Sequence, residues 1–418
     1  MELSKNEIFY ILKSKTYIHS NINKLITESR NLYFDFLDIL FSNQITGYEN
    51  ISNCNPLLWE AYHPIWFMRK LCLSFFNENF DIKKENLIYN SHLCSRNHRF
   101  TPELYKIDKI IKNTCNTFNQ LLKIEESPEN HYLILLSILH LHMHLESYLF
   151  TRKVMMKDYH SFKLYNFDNK LEELEFIKIP NGSFIQGSSI NKNGISFDNE
   201  KPIFVQNVNS FKISKTVVTN HIYHKFILEQ GYDKKNLWSH YGWLYKVENN
   251  IRLPKYWKYD NNEIKIYFNS KWYSLYQISN YPVCHLSWWE AEAFCKFYGG
   301  RMILEKEWEY ASLFCNNKNP NLDYKNGILP VNHNYNVNDK IVQMFGNVWE
   351  WCEEFIYPYK GFKIDPVYRE YSYPFFGFKK VIKGSSWATP ELLNYPSYRN
   401  SQLPNCRHQY ISFRVVKD

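Results

Sequence analysis

The sequence is poor in the features that mark secreted, membrane-spanning or nucleic-acid-binding proteins. Its nine cysteines are widely spaced and include no Cys-x2-Cys pair, which argues against a disulfide framework or a structural zinc site. The N-terminus lacks a basic stretch followed by an apolar one, and no apolar run suggests a membrane span. The formal charge of +8 is scattered rather than gathered into a basic stripe. We therefore expect a cytoplasmic protein that binds neither nucleic acid nor membrane.

What the sequence does have is the length and composition of a globular protein with more than one domain. Its 418 residues allow two or three domains, and 44% hydrophobic with 22% charged residues is typical of folded chains. Apolar residues recur at helical spacing in the first part of the chain, over residues 4–14, 18–41, 55–70, 107–124 and 132–156. Four long helices with short connections predict an up-down helical bundle.

The character of the sequence changes after Tyr165. Short alternating segments, turns and dense aromatic residues follow, and the clearest helical patterns there cover 288–298 and 305–314. This mixture predicts an α+β domain with much irregular structure. We expect two domains, residues 1–165 and 166–418, packed against one another, since no low-complexity linker separates them.

The most informative stretch is the end of the fourth long helix, His140-Leu-His-Met-His-Leu-Glu-Ser-Tyr-Leu-Phe-Thr-Arg152. His140 and His144 are four residues apart, so both imidazoles project from one face of the helix. Two neutral imidazoles on one face form half of a metal site for iron, zinc, copper or nickel. The alternative is a helix whose histidines are simply packed or solvated. Earlier in the chain His63 precedes Pro64, which predicts a helix start or a kink there.

A polar segment between the helical patterns, from Tyr89 to Phe100, contains Arg96 and Arg99. One interpretation is a solvated connection between helices. The other is an anion clamp, because two guanidinium groups three residues apart suit a carboxylate ligand.

The C-terminal part of the chain resembles a known fold. The motifs are Pro282-Val-Cys-His-Leu-Ser-Trp-Trp-Glu, Glu305-Lys-Glu-Trp-Glu-Tyr-Ala, Gly346-Asn-Val-Trp-Glu-Trp351 and Lys383-Gly-Ser-Ser-Trp387. They are similar to the formylglycine-generating-enzyme (sulfatase-modifying-factor) fold, which is itself similar to a C-type lectin core. Ser385 stands where that pattern usually has a second glycine. The resemblance covers residues 174–418 and implies a fold, while the activity depends on the site that the fold carries.

The N-terminal part narrows the resemblance. A DinB-like helical bundle with Trp-x3-His and His-x3-His-x-Glu, fused to this fold, is similar to the nonheme iron sulfoxide synthases of ergothioneine, ovothiol and selenoneine biosynthesis. In that family three histidines hold Fe(II), and the matching residues here are His63, His140 and His144. The resemblance implies a sulfoxide or selenoxide synthase that uses O2. Its substrates would be a cysteine-like or selenium donor and the imidazole of histidine or hercynine.

Other matching positions imply roles at the same site. Tyr368 matches a phenol that donates a proton or hydrogen during the oxygen chemistry, with Tyr371 as the alternative. Arg96 and Arg99 match a pair that holds the carboxylate of the donor.

The C-terminal segment after Arg399 bears on the choice of donor. In relatives that use γ-glutamylcysteine, an acidic residue two positions after an Arg-Asn pair also binds the donor. Here Asn400 is followed by Ser401 and Gln402, which are both neutral. We therefore expect Asn400 and Gln402 at the substrate site. We also expect cysteine or a selenium-bearing small molecule to be preferred over γ-glutamylcysteine.

The chain also departs from the family pattern, and two other functions stay open. Leu141 stands where the family often has Glu, and Met143 stands where ergothioneine-type members often have a Gln that contacts the substrate; a thioether cannot donate a hydrogen bond. A formylglycine-generating oxidase would need a C-terminal cysteine pair, but Cys406 is the single cysteine in the last sixty residues. A non-catalytic ligand-binding protein is disfavoured by the retained set of three histidines.

Overall fold

The structure is a computed structural model. It describes residues 21–42, 54–75, 77, 80–101, 103–154, 162–165, 173–188, 195–315, 319–333 and 340–418. Contacts divide the chain into two compact units. The first unit holds Met1–Tyr159, Ile190–Ile195 and Asp365–Arg369, and the second holds His160–Ser189, Ser196–Ile364 and Glu370–Asp418. The segment Asp365–Arg369 therefore belongs with the N-terminal helices, although it lies late in the sequence.

Within the described residues the first unit is helical. Its helices are α1 (Ile22–Ser42), α2 (Leu57–Met68), α3 (Lys83–Tyr89), α4 (Ile107–Leu121) and α5 (Pro128–Val154). Helix α2 packs against α4 and α5, and α1 packs against the same two helices. The four long helices were predicted from their apolar spacing, whereas the helix predicted over 4–14 lies outside the described residues. The more specific prediction, that this helical bundle is DinB-like, stays a prediction.

Helix α2 continues through Pro64, so the predicted helix start at His63 is wrong, whereas the alternative prediction of a kink stays a prediction. Proline lacks an N–H group and leaves the Glu60 carbonyl without its helical donor, at a typical cost of about 3 kcal/mol. All residues of α2 are buried, and the free energy of that packing outweighs the loss. A π-helical turn, Arg69–Leu73, follows directly.

Helix α5 is apolar on nearly every side. By length and composition Pro128–Thr151 would pass as a membrane span, with a hydropathy of 1.3 over its most apolar window. This finding corrects the expectation that no apolar run reaches the length of a span. However, 78% of that window is buried inside the protein, and a helix that is apolar all round suits the centre of a helical bundle.

The second unit combines short strands with short helices. The helices are α6 (Asn220–Leu228), α7 (His240–Glu248), α8 (Trp288–Phe297) and α9 (Glu305–Ser312). The strands are β1 (Phe176–Ile179), β2 (Gly182–Gln186), β3 (Phe204–Val208), β4 (Phe211–Ser214), β5 (Trp257–Asp260), β6 (Glu263–Phe268), β7 (Lys271–Ser274), β8 (Trp349–Phe355), β9 (Lys380–Lys383), β10 (Asn400–Gln402), β11 (Ile411–Ser412) and β12 (Val416–Lys417). They pair in the orders β1-β4-β12, β2-β3, β5-β6-β7 and β10-β9-β8-β11. The predicted mixture of helix and sheet is confirmed.

The motif Gly346-Asn-Val-Trp-Glu-Trp351 leads into β8 and forms part of the interior of this unit. Trp349 and Trp351 are fully buried. Between them, Glu350 accepts hydrogen bonds from the Arg414 guanidinium at 2.9 Å and from the Trp308 indole at 2.8 Å. Arg414 also donates to three backbone carbonyls. The motif therefore anchors the interior of the fold and does not present an exposed reactive group.

Ser385, the departure from the usual glycine, lies in the left-handed region with a φ of 68°. Its neighbour Gly384 has a φ of 96°, and a Cβ added there would lie 2.4 Å from the Met344 carbonyl oxygen. Glycine is therefore required at 384 for steric reasons. At 385 the serine is accommodated with some backbone strain, and the turn keeps its shape.

Replacing Arg414 with alanine should lower the free energy of unfolding by about 3–5 kcal/mol, because the Glu350 carboxylate would stay buried without its counter-ion. Chemical denaturation followed by tryptophan fluorescence measures the change. Asp418→Asn is the control, since it removes an exposed ion pair with Arg301 and should cost less than about 1 kcal/mol. Equal losses in the two variants would show that the buried pair has no special part in stability.

Candidate metal centre

Three histidines from two helices meet inside the first unit. His63 comes from α2, and His140 and His144 come from α5. Their ring centroids are 4.5–5.0 Å apart, and one ring nitrogen of each lies within 4.8 Å of the others. The structure thus brings the three predicted ligands to one place. Among the residues that it describes, no other His, Cys, Asp or Glu group of this kind occurs.

Aromatic rings hold two of the imidazoles in orientation. Residues three and four apart on a helix are neighbours, so His63 stacks on Trp59 at 4.3 Å and on Trp66 at 5.4 Å. Phe67 stacks on His140 at 4.0 Å. These contacts give a physical reason for the Trp-x3-His spacing, because the indole fixes the ring plane of the histidine.

Hydrogen bonds determine which nitrogen of two histidines remains available. The Nδ1–H group of His63 donates to the Tyr89 carbonyl oxygen at 2.7 Å. The Nδ1–H group of His144 donates to Glu60 Oε1 at 2.7 Å. In the neutral tautomer that this pattern implies, Nε2 carries the lone pair. A carbonyl or carboxylate behind the ring is the usual arrangement of a metal-binding histidine.

Burial favours the neutral form of two of the imidazoles, those of His63 and His140. Burial, helped by the neighbouring His144, holds the pKa of His63 well below its usual value. The pKa of His140 is likewise well below its usual value, first because of burial and then because of His144 and His63. Burial opposes ionisation of Glu60, but the charge and hydrogen bond of His144, with a further bond from Asn55, lower the pKa of that carboxyl to about 2. Protons therefore compete weakly for the ring nitrogens of His63 and His140.

This donor set fits one metal ion. His140 Nδ1 is a buried nitrogen that has no hydrogen-bond partner in the described part of the chain. An ion with bonds of about 2.1 Å bridges nitrogens up to about 4.2 Å apart, and the three ring nitrogens lie within 4.8 Å of one another. Three neutral imidazoles suit iron, zinc, copper or nickel. His63, His140 and His144 would be the ligands.

Tyr368 lies beside this cluster. Its ring centroid is 5.6 Å from that of His140 and 4.8 Å from that of Phe67. The segment that carries it belongs to the first unit. The predicted phenol and the predicted histidines therefore share one site.

Asp365 holds the Tyr368 segment in place. One carboxylate oxygen accepts the backbone N–H groups of Val367 and Tyr368. The other oxygen accepts the hydroxyl of Tyr132, which lies on α5. The helix that provides two of the histidines thus also anchors the tyrosine.

The predicted anion clamp makes contacts within the first unit. Arg96 donates to the Cys54 carbonyl oxygen at 2.7 Å. Arg99 donates to Asn55 Oδ1 at 2.7 Å and to two backbone carbonyls. Its guanidinium also lies 4.4 Å from the centre of the Trp59 ring. Arg99 therefore supports residues that touch the histidines, and the role of both arginines toward a donor stays a prediction.

Three other predicted site residues belong to the second unit. Tyr371 stacks on Phe197 at 4.1 Å, and burial raises its pKa well above the usual value. Asn400 and Gln402 lie on β10, where the Asn400 side-chain oxygen accepts the N–H group of Ser401. Their substrate-binding roles stay predictions. The ring of Tyr368 lies beside His140, and its catalytic role, like that of Tyr371, stays a prediction.

Sequence reasoning missed Glu60, Asn55 and Asp365. Glu60 is three residues before His63, but its partner His144 lies 84 positions away, and packing of α2 on α5 brings them together. One signal was available, because a carboxylate in an otherwise apolar helix needs a buried partner.

The chain is similar to known proteins over more than half of its length. The family model described as "Sulfatase-modifying factor enzyme 1-like domain" matches residues 161–339 and 317–418. A hercynine oxygenase of Mycolicibacterium smegmatis is 29% identical over 271 residues, which cover 58% of this chain and 61% of that protein. A formylglycine-generating enzyme of Streptomyces coelicolor is 23% identical over 300 residues, covering 58% and 88%. The solved structure of PvdO from Pseudomonas aeruginosa has a TM-score of 0.40 and 18% identity, covering 60% and 97%.

The similarity to the hercynine oxygenase covers only part of each of the two proteins. The chain spans 61% of that protein. The family model matches residues 161–418, whereas the three histidines lie before them. The family match therefore does not extend to the three histidines.

Replacing His140 with alanine should abolish binding of a divalent metal ion, because one of three ligands is lost. The loss should exceed the roughly 10–100-fold effect of removing a supporting partner. Metal analysis after anaerobic loading measures it. His142→Ala is a matched control, since His142 is a buried histidine of the same helix that bonds to Ser29. Full metal binding by the His140 variant, or equal loss in the control, would contradict the proposed ligand set.

Proposed function

Because the chain belongs to the sulfatase-modifying factor enzyme 1-like family, we propose an oxidoreductase function in which the histidine cluster is the metal centre. The proposed enzyme is an Fe(II)- and O2-dependent sulfoxide (or selenoxide) synthase. It joins a cysteine-like or selenium donor to the imidazole of histidine or hercynine. The likeness to a hercynine oxygenase supports this choice of acceptor.

The observation that carries the proposal is the arrangement of the three imidazoles. They converge within 4.8 Å, and the rings of His63 and His144 are held from behind by Tyr89 and Glu60. Burial holds the pKa values of His63 and His140 well below the usual value. Three protein ligands on one side of an octahedral ion leave three positions for substrates. Oxygenases with two histidines and one carboxylate use this principle with iron, and here a third histidine takes the place of the carboxylate.

Bound Fe(II) would gather the donor and O2, since coordination to a cation lowers the pKa of a thiol and favours the thiolate. In the net reaction the acceptor C–H and donor S–H hydrogens leave with one oxygen atom as water. The other oxygen atom enters the sulfoxide. Formation of the carbon–sulfur bond and oxidation of sulfur together reduce O2 completely, so no additional reductant is required.

We assign proton delivery to Tyr368. A phenol within reach of the reacting oxygen can donate a proton as that oxygen is reduced. The ring lies beside His140, and Asp365 and Tyr132 hold its backbone against α5. A fixed donor avoids the entropy loss of ordering the group during the reaction.

We assign the carboxylate of the donor to the Arg96–Arg99 segment. Guanidinium groups bind carboxylates through paired, directional hydrogen bonds. Gln402 is neutral, and an amide does not supply the full negative charge that an ammonium group on the donor would favour. Cysteine or a selenium-bearing small molecule is accordingly the proposed donor, in preference to γ-glutamylcysteine.

A formylglycine-generating oxidase is the second candidate, and the likeness to such an enzyme favours it. That reaction would require a reactive cysteine pair near the C-terminus. Cys406 is buried, and burial raises the pKa of its thiol to about 11, which disfavours the nucleophilic thiolate. A non-catalytic ligand-binding role would not account for the convergence of the three histidines.

Protein purified without oxygen and loaded with Fe(II) should couple cysteine to hercynine or histidine when O2 is admitted, and mass spectrometry detects the sulfoxide.

Arg96→Ala should raise the KM of the donor far more than that of the acceptor, because a carboxylate contact is lost. Equal changes in the two KM values would mean that Arg96 is structural. A clear preference for γ-glutamylcysteine would refute the donor assignment, and absence of the sulfoxide would refute the function.

Tyr368→Phe should keep metal and substrate binding but lose coupling, with a typical loss of about 100–10,000-fold for a missing proton donor. Product analysis should then show oxidation of the thiol without attachment to the imidazole. Tyr371→Phe is the matched control and should retain coupling. Unchanged coupling in the Tyr368 variant would contradict its assigned role.

A further inference from the structure

Glu60 is a buried carboxylate that contacts a ligand histidine. Its side chain is 2% exposed, and its two oxygens have different partners. Oε1 accepts the Nδ1–H group of His144 at 2.7 Å, and Oε2 accepts the amide of Asn55 at 2.7 Å. Burying a carboxylate is strongly unfavourable unless such partners are present. Its position behind His144 therefore calls for a functional reason.

Arg99 fixes the other side of this contact. Its Nη1 donates to Asn55 Oδ1 at 2.7 Å, so the amide nitrogen of Asn55 faces the carboxylate. The same guanidinium lies 4.4 Å from the centre of the Trp59 ring, and Trp59 stacks on His63 at 4.3 Å. One arginine thus supports two ligand histidines by separate routes.

We propose that Glu60 is a positioning residue for the metal centre, held in place by Asn55 and Arg99. The inference rests on the proposed function, because it assumes that the cluster binds a metal ion. Glu60 acts through His144 by accepting the Nδ1 proton. Nε2 is then the ligand atom, and the plane of the ring is fixed. The negative charge also makes the imidazole a stronger donor to a cation.

The same network gives Arg99 a part in the metal centre. Arg99 donates to Asn55 and to two backbone carbonyls, and through Asn55 it reaches Glu60. Loss of Arg99 should therefore affect the metal centre.

Titration of the full chain with Co(II) alone tests the proposal, because Co(II) binds imidazoles and its visible absorption reports the ligand set. Glu60→Gln should weaken Co(II) binding by about 10–100-fold, the usual effect of removing the partner behind a metal-binding histidine. Arg99→Gln should weaken it in the same direction by a smaller factor. The absorption band of the Glu60 variant should also change, since the His144 ring is no longer held.

Glu85→Gln is the matched control. Glu85 is another buried carboxylate of the first unit, but it accepts hydrogen bonds from Tyr62 and Arg69 and from no ligand histidine. This variant should bind Co(II) as the unaltered chain does. Melting temperatures measured on all three variants separate loss of the site from loss of the fold.

Equal losses of Co(II) affinity in the Glu60 and Glu85 variants, or unaltered affinity in Glu60→Gln, would overturn the proposal. Failure of the unaltered chain to bind Co(II) would overturn the metal centre and this inference with it. Metal binding without coupling of donor to imidazole would refute the proposed reaction and still support the role of Glu60. If Glu60→Gln does not fold, Asn55→Ala is expected to lower the affinity in its place, and unaltered affinity there would count against the proposal.

Discussion

The hydrogen bond between Glu60 and His144 joins the two central helices of the first unit, and the geometry of the site depends on it. Apolar packing alone would tolerate several rotations of α5 about its axis, because that helix is apolar on nearly every side. A buried carboxylate and a buried imidazole are each unfavourable without a partner. The pair therefore selects the rotation in which His144 meets α2. The same rotation turns His140 toward His63, since residues four apart share a face.

Buried ion pairs have a comparable part in the second unit. Glu350 binds Arg414, and Glu305 binds Arg399 through both of its oxygens. Each pair ties the C-terminal segment to a strand or helix formed earlier in the chain. Such pairs specify one arrangement more than they add stability, because desolvation offsets much of their attraction. The motifs that carry the family resemblance are thus mainly structural, and the proposed chemistry lies elsewhere in the chain.

The sequence was informative where structure depends on local spacing. The long helices follow from apolar periodicity, and His140 and His144 share a face because they are four apart. The helix start predicted as one alternative at His63 was wrong, because a local preference yields to the burial of a whole helix. Contacts such as Glu60 with His144 escape periodicity arguments, since they depend on how two helices pack. The contact of Tyr368 with His140 was reached through resemblance, and no spacing in the sequence indicates it.

Tyr132 and Asp365 are 233 positions apart, and this separation bears on the order in which parts of the site are synthesised and folded. Synthesis proceeds at about 5–20 residues per second, and N-terminal units usually fold first. The helices can therefore assemble their histidines while Asp365 and Tyr368 have not yet been translated. The cluster then exists for roughly tens of seconds without its neighbouring phenol. If the cluster binds the proposed ion, a nascent chain would have this interval to take up the metal before Tyr368 exists, and loading would precede the proposed oxygen chemistry.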